Sequence, residues 1–195
     1  MYKLCVTEKS AAQHQKFEQA FLELLLEVSY DNIRISEVCR RAGYSRKVFY
    51  RLFDQKSDVL QALIDHTLLD FENYAPDPAE VGEGNLHRFF GYWKEQHLLL
   101  TALGANHGTG LLTERAIRHV LSEDSLVLKT FGADDSGFGR ETVVFFISGV
   151  FSLVQDWHES GYLRSIDEMS GLLMQLLSTT PIKCRMPDVW NHRPI

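Results

Sequence analysis

The chain has 195 residues, of which 45% are hydrophobic and 24% charged, and its 20 lysines and arginines against 26 acidic residues leave a net charge of −6. That is enough apolar material for one good core and a small satellite domain. The opening residues contain no apolar leader segment, and the three cysteines, Cys5, Cys39 and Cys184, are odd in number and widely spaced, so a cytoplasmic protein with neither a disulfide framework nor a zinc site is expected.

The first predicted helix carries Phe17, Ala20, Phe21, Leu24, Leu25 and Val28 at three- and four-residue spacing, a stripe suited to covering a pair of shorter helices. A second helix follows with Val38, Cys39 and Ala42 at helical intervals. Gly43 then stands where a helix needs a left-handed stop, a conformation glycine adopts without steric penalty. Cys39 falls on the inward face of this helix as a small core residue; redox sensing is left open for Cys5 and Cys184.

Ser45 is placed to cap a third helix, Arg46 to Leu52, by accepting a hydrogen bond from a free amide of its first turn. A glycine turn between two short helices leaves the second protruding, with its N-terminal residues available to base edges in a major groove. Arg46 and Lys47 occupy that end. Cations there oppose the helix dipole at a cost of roughly a few tenths of a kcal/mol each, which a phosphate or a guanine edge would offset.

Between Asp31 and Leu60, Arg34, Arg40, Arg41, Arg46, Lys47, Arg51 and Lys56 face Asp31, Glu37, Asp54 and Asp58, seven charges against four, for +3 locally and −9 over the remainder. Such asymmetry is the footprint of nucleic-acid binding on an acidic protein. On charge alone a solvated helical hairpin explains it equally well, with Arg40 and Arg41 in water and Tyr50 and Phe53 as core aromatics.

Val59, Leu60, Leu63, Ile64, Leu68 and Phe71 predict a long connecting helix, and a domain transition is placed near Asp70. The stretch Ala75–Asn85, with two prolines, two glycines and acidic residues, reads as a loop. A helix-rich region begins at Leu86 with Phe89, Phe90, Tyr92, Trp93 and His97, breaks at 103–110, and resumes from Leu111 to Leu128. A second break, Phe131–Gly139, precedes the run Val143–Trp157, which is too short and too soon followed by charge to span a membrane, and whose apolar residues cover nearly the whole circumference.

Ser165 and Glu168 have the spacing of a capping box, and Met169, Leu172, Leu173, Leu176 and Leu177 form the stripe of a last helix. Two such apolar helices late in the chain suit a dimer interface of four helices, Val143 to Trp157 and Met169 to Leu177 from each subunit, with a closed monomer core as the alternative. The tail 181–195 holds three prolines and no period; Trp190 within it is a candidate for docking on the body. Three domains result: 1–70, 71–180 and the tail.

An enzyme is a poor third reading. His158-Glu159 opens like a zinc-binding HExxH, but Tyr162 stands where the second histidine is needed. The glycine-rich 104–110 lacks both a preceding strand and the Lys-Ser/Thr ending of a phosphate loop, so it reads as a helix break, and no GxSxG elbow occurs. No cofactor or metal is implied. Phe89, Tyr92, Trp93, Gln96, His97, His107 and Phe146 form the aromatic and polar mixture that lines small-molecule cavities, though each alone reads more readily as core.

The pattern Val38, Cys39, Ala42, Gly43, Tyr44, Ser45, Tyr50, Phe53 and Lys56 closely resembles the N-terminal DNA-binding domain of the TetR family of transcriptional regulators, over roughly Phe17 to Phe71. The resemblance implies an all-α chain, a three-helix helix-turn-helix domain plus a helical ligand-binding and dimerisation domain. It implies a dimer on a pseudo-palindromic double-stranded operator, by the family's habit a repressor, with a small-molecule effector. Arg46 and Lys47 would face bases or nearby phosphates, Arg46 as the candidate guanine contact; Tyr50 and Lys56 would hold the backbone, with Ser45, Arg51 and Arg34 beside them.

Three positions depart from the family. Val48 and Leu52 replace residues that hydrogen-bond phosphate, and Arg34 replaces a capping threonine. Gly149, Trp157, Gly161, Ser165, Asp167 and Glu168 also resemble the C-terminal region of a subgroup common in Gram-positive bacteria that includes regulators of dihydroxyacetone use. A protein that shares the fold as an interaction partner but no longer binds DNA is the runner-up.

Overall fold

A computed structural model describes residues 8–74, 83–122 and 140–179. Among them every regular element is helical: α1 (Glu8–Glu27), α2 (Ile35–Ala42), α3 (Arg46–Leu52), α4 (Lys56–Tyr74), α5 (Glu83–Glu95), α6 (His97–Ala105), α7 (Thr109–Val120), α8 (Arg140–Glu159) and α9 (Ile166–Thr179), with one 3-10 turn at Tyr30–Asn32 before α2. Two compact units result, and no single cut of the chain separates them. The first takes the described residues of Met1–Leu68 together with Leu98–Arg115, and the second those of Leu69–His97 and Ala116–Ile195.

In the first unit α1 buries Phe17, Ala20, Phe21, Leu24 and Leu25, as its stripe predicts, but Val28 lies past the helix end and is exposed. The Phe17 ring packs edge-on against Phe49 and Phe53 of the α3 region at 5.5 and 5.8 Å. Gly43 closes α2 at φ 76° and ψ 22°, and the amide of Tyr44 donates back to the Cys39 carbonyl at 3.0 Å, so the left-handed residue converts the helix end into a tight turn. Cys39 is buried, and desolvation pushes its thiol up against the opposing pull of Arg46, which suits a core residue.

In the second unit α5 starts at Glu83, three residues before the expected Leu86, so Gly84 and Asn85 are helical; the rest of the expected loop lies outside the described residues. Helix α7 ends at Val120 rather than Leu128, with Leu121 and Ser122 in a turn. The break 131–139 and the tail, including Trp190 and Cys184, lie outside the described residues, as does Cys5.

Helix α9 opens with the expected capping box: the Ser165 amide donates to Glu168 Oε2 at 2.7 Å and the Glu168 amide to Ser165 Oγ at 3.2 Å. Those bonds hold the Glu168 carboxyl below its ordinary value. α8 buries Ile147, Val150, Phe151, Val154 and Trp157, but it is not enclosed all round. Phe145, 66% exposed, shares an open face with Gly149, Ser152 and Asp156, so burial covers less of the circumference than the apolar run predicts. No described helix is long and apolar enough to cross a membrane.

Candidate nucleic-acid interface

Helix α3 is divided sharply into two faces. Phe49 and Leu52 are buried, whereas Arg46, Lys47, Tyr50 and Arg51 are exposed, with the Tyr50 ring edge-on to Phe49 at 5.4 Å. Ser45 caps the helix: its carbonyl receives the Val48 and Phe49 amides at 3.0 and 3.1 Å, and its Oγ receives Val48 at 3.4 Å. The cap fixes the entry to α3 while leaving Arg46 and Lys47 in the first turn and in solvent.

The cations of this segment separate by what they touch. Arg41 grips both oxygens of Glu27 at 2.7 Å, tying α2 to the end of α1, and holds that carboxyl below its usual range. Arg40 lies 3.6 Å from Glu37. Arg51, although exposed, donates to Gln13 Oε1 on α1 at 2.7 Å. Arg34, Arg46 and Lys47, by contrast, have no carboxylate or hydrogen-bond partner for their side chains among the described residues.

Lys56, expected to hold the DNA backbone, has its ammonium engaged within the chain. Its Nζ donates to the carbonyls of Tyr30, Asp31 and Ile33 at 2.7, 3.1 and 3.2 Å and sits 4.4 Å from the centre of the Tyr30 ring. An ammonium has three donors, and all are used inside the chain. Leu52, expected to stand where a phosphate contact is lost, is a core residue, so a polar group there would be buried away from solvent.

Behind α3 lies a cluster that local sequence patterns do not flag. Glu18 of α1 accepts His66 Nδ1 from α4 at 2.9 Å, His14 Nδ1 approaches Glu18 at 3.5 Å, and the His14 ring rests 4.4 Å from Phe53. Burial alone would raise the Glu18 pKa, but the hydrogen bonds and charges of His14 and His66 outweigh it and hold the carboxyl below its ordinary value. Asn106, inside the glycine-rich segment that reads as a helix break, belongs to the same unit and binds its backbone at three points.

Of the residues expected to line a ligand site, Phe89, Tyr92, Trp93, Gln96, His97 and Phe146 fall in the second unit, and His107 falls in the first. Trp93 is wholly buried, with Phe151 edge-on at 4.9 Å, Tyr92 at 5.6 Å and Phe89 at 6.3 Å. Its Nε1 donor is enclosed and finds no acceptor among the described residues. Burial, with the charges of Asp70 and Glu95, pushes the Tyr92 hydroxyl far above its ordinary value. His97 and His107 are exposed, and His107 takes a left-handed backbone at φ 54°. The described residues contain no group of histidines, cysteines and carboxylates able to hold a metal.

Residues 19–63 match the family profile "Bacterial regulatory proteins, tetR family", and that segment contains the 3-10 turn, α2, the Gly43 turn and α3. Over this segment the chain is similar to the tetR family. Among curated proteins it is 25% identical over 108 residues to the "Uncharacterized HTH-type transcriptional regulator YvdT" of Bacillus subtilis, an alignment covering 55% of this chain and about half, 49%, of that relative.

Among solved structures, a TetR transcriptional regulator from Rhodococcus sp. RHA1 shares the fold at TM-score 0.53 and 17% identity, over 89% of this chain and 99% of its own. The "Dihydroxyacetone kinase operon activator DhaS" does so at TM-score 0.56 and 14% identity, over 85% and 94%. A likeness at that identity is one of fold. The matched profile is one of regulatory proteins, which favours a regulator over a helical enzyme.

Proposed function

We propose that this protein reads double-stranded DNA as a transcriptional regulator, with α3 lying in a major groove. One observation carries the reading: two cations without partners among the described residues stand in solvent in the first turn of a capped helix whose opposite face is core, while most of their basic neighbours are engaged within the chain. Unpaired charge at the dipole-disfavoured end is a cost that only an external anion offsets. Arg46 is assigned to a guanine edge, Lys47 and Arg34 to phosphate or base edges, and Tyr50 to the backbone. Ser45 shapes the helix entry, and Arg51 has one donor on Gln13 and others available.

The same reading makes the protein a homodimer on a pseudo-palindromic operator, by family habit a repressor. The open α8 face at Phe145, Gly149 and Ser152, with Leu176 of α9 also exposed, supports the seam between Val143–Trp157 and Met169–Leu177. Pairing would set two copies of α3 about 34–36 Å apart. An effector in the second unit is supported by Trp93 Nε1, a buried donor that a ligand's acceptor would satisfy.

The test is binding to DNA from the protein's own genomic neighbourhood at two salt concentrations, beside an Arg46→Ala, Lys47→Ala variant. Site-selective binding by the wild type that the variant loses supports the reading. Binding without selectivity, or indifferent to the substitutions in the presence and absence of cell-extract small molecules, supports the interaction-partner reading instead.

A further inference from the structure

We infer that Asn106 is a positioning residue for DNA recognition, acting through the 3-10 turn that leads into α2; the inference rests on the DNA-reading function of α3. Asn106 stands in the corner between α6 and α7, yet its side chain serves three segments of the first unit. Its Oδ1 accepts the Tyr30 amide at 2.6 Å, 76 residues away in sequence. Its Nδ2 donates to the Leu25 carbonyl at 3.1 Å and to the Ala102 carbonyl at 2.8 Å.

Each of the two carbonyls belongs to the last turn of a helix, α1 and α6, where backbone acceptors have no intrahelical partner. The amide belongs to the first residue of the 3-10 turn, which likewise lacks one. A single primary amide thus answers three orphan backbone groups, using its acceptor and both donors.

Tyr30 matters because it sits at the root of the helix-turn-helix. Its carbonyl accepts Lys56 Nζ at 2.7 Å and the Ile33 amide at 3.2 Å, and Arg34, the N-cap of α2, is next in line. Asn106 holds the amide of this residue and Lys56 holds its carbonyl, so the turn is clamped from both sides. From there α2, the Gly43 turn and α3 succeed one another with no segment longer than a few residues to absorb a shift.

The corner that presents Asn106 is itself set by backbone constraint. His107 is left-handed at φ 54°, a conformation that residues with a Cβ seldom adopt, and the Gly108 amide returns to the Leu103 carbonyl at 2.7 Å. A Cβ at Gly108 would come 2.8 Å from Leu103 Cδ2.

The test compares full-length wild type, Asn106→Ala and Asn106→Asp for binding to selected DNA and to scrambled DNA, with amide hydrogen exchange followed at Tyr30. Asn106→Ala is expected to raise Tyr30 exchange and to lower affinity for the selected site about tenfold, while affinity for scrambled DNA and the salt slope stay unchanged, because the phosphate-facing cations are untouched. Asn106→Asp keeps the acceptor for Tyr30 but sets its second carboxylate oxygen against the Leu25 and Ala102 carbonyls, so it is expected to melt below wild type and to recover the lost selectivity in part. It also serves as the readout if the alanine variant does not fold, since a positioning role then requires from it a protected Tyr30 amide together with a preference for the selected site.

Selected and scrambled affinities falling together, or unchanged selectivity with a freely exchanging Tyr30 amide, would overturn the inference alone. A wild type that selects no DNA would overturn the parent reading and this one with it.

Discussion

Both units of this protein pack aromatic rings, but they differ in the polar contacts that surround them. In the first, directional polar contacts fix particular points: Lys56 on three carbonyls, Arg41 on Glu27, Glu18 between two histidines, and Arg115 of α7 gripping both oxygens of Asp65 on α4. In the second, aromatic rings dominate, with Phe71, Phe89, Phe90, Tyr92, Trp93, Phe151, Trp157 and Tyr162 in mutual contact at 4.8–6.3 Å. Hydrogen bonds weaken steeply with misalignment, whereas ring packing tolerates a range of tilts at modest cost. On the proposed function, the first unit would carry the surface that matches a fixed lattice of phosphates, and the second, with fewer point contacts, would reshape around a guest.

Substitutions can break or sharpen that contrast. The largest loss of stability is expected from Phe17→Ala, about 3–5 kcal/mol in urea unfolding, because Phe17 is fully buried between Tyr44, Phe49 and Phe53 and its removal leaves a cavity that the polar ties around it prevent from collapsing.

Glu18→Gln should cost about 1–3 kcal/mol by leaving the buried His14 and the partly exposed His66 poorly answered. The wild-type contribution is pH-dependent in a definite direction. The folded carboxyl lies below its ordinary 4.5, so near that pH the unfolded chain binds the proton more readily. The stabilisation is complete above that value and is lost as pH falls through the depressed folded one. A Glu18→Gln variant with the wild-type acid profile would assign the acid sensitivity elsewhere.

Arg46→Ala should cost about 1–3 kcal/mol of operator affinity and relax selectivity at one base pair, with a melting temperature equal to wild type. A substantial loss of stability would place Arg46 in the fold rather than at the interface. Phe151→Leu in the second unit should cost less than about 1.5 kcal/mol if rings there repack freely; a loss as large as that of Phe17→Ala would erase the contrast between the units. The smallest effect is that of Ser45→Ala, about 1 kcal/mol in thermal unfolding from the lost cap.

Local chemistry is legible in the sequence. Gly43, Ser45 and the Ser165–Glu168 box act within four residues of themselves, so spacing alone places each of them. The stripes of α1, α4 and α9 are legible for the same reason, and Val28 fails only because α1 stops one residue before it. Contacts made across the chain are not. Nothing in GANHGTG marks Asn106 as a partner of residues 76 and 81 positions earlier, and a lysine opening α4 gives no sign that carbonyls 23 to 26 residues upstream will occupy it. The open face of α8 escapes a sequence reading because apolar and small residues on all sides look alike whether the neighbour is the same chain or another.

Lys56 behaves, in effect, as a metal ion that the protein carries on a leash. Three carbonyl oxygens converge on its ammonium with the Tyr30 ring beneath it, an arrangement otherwise met where peptide oxygens replace the hydration shell of a bound cation. Acetylating that one nitrogen would therefore do more than subtract a charge: it would empty a coordination site at the start of the segment proposed to read DNA and leave three backbone dipoles pointing at one another.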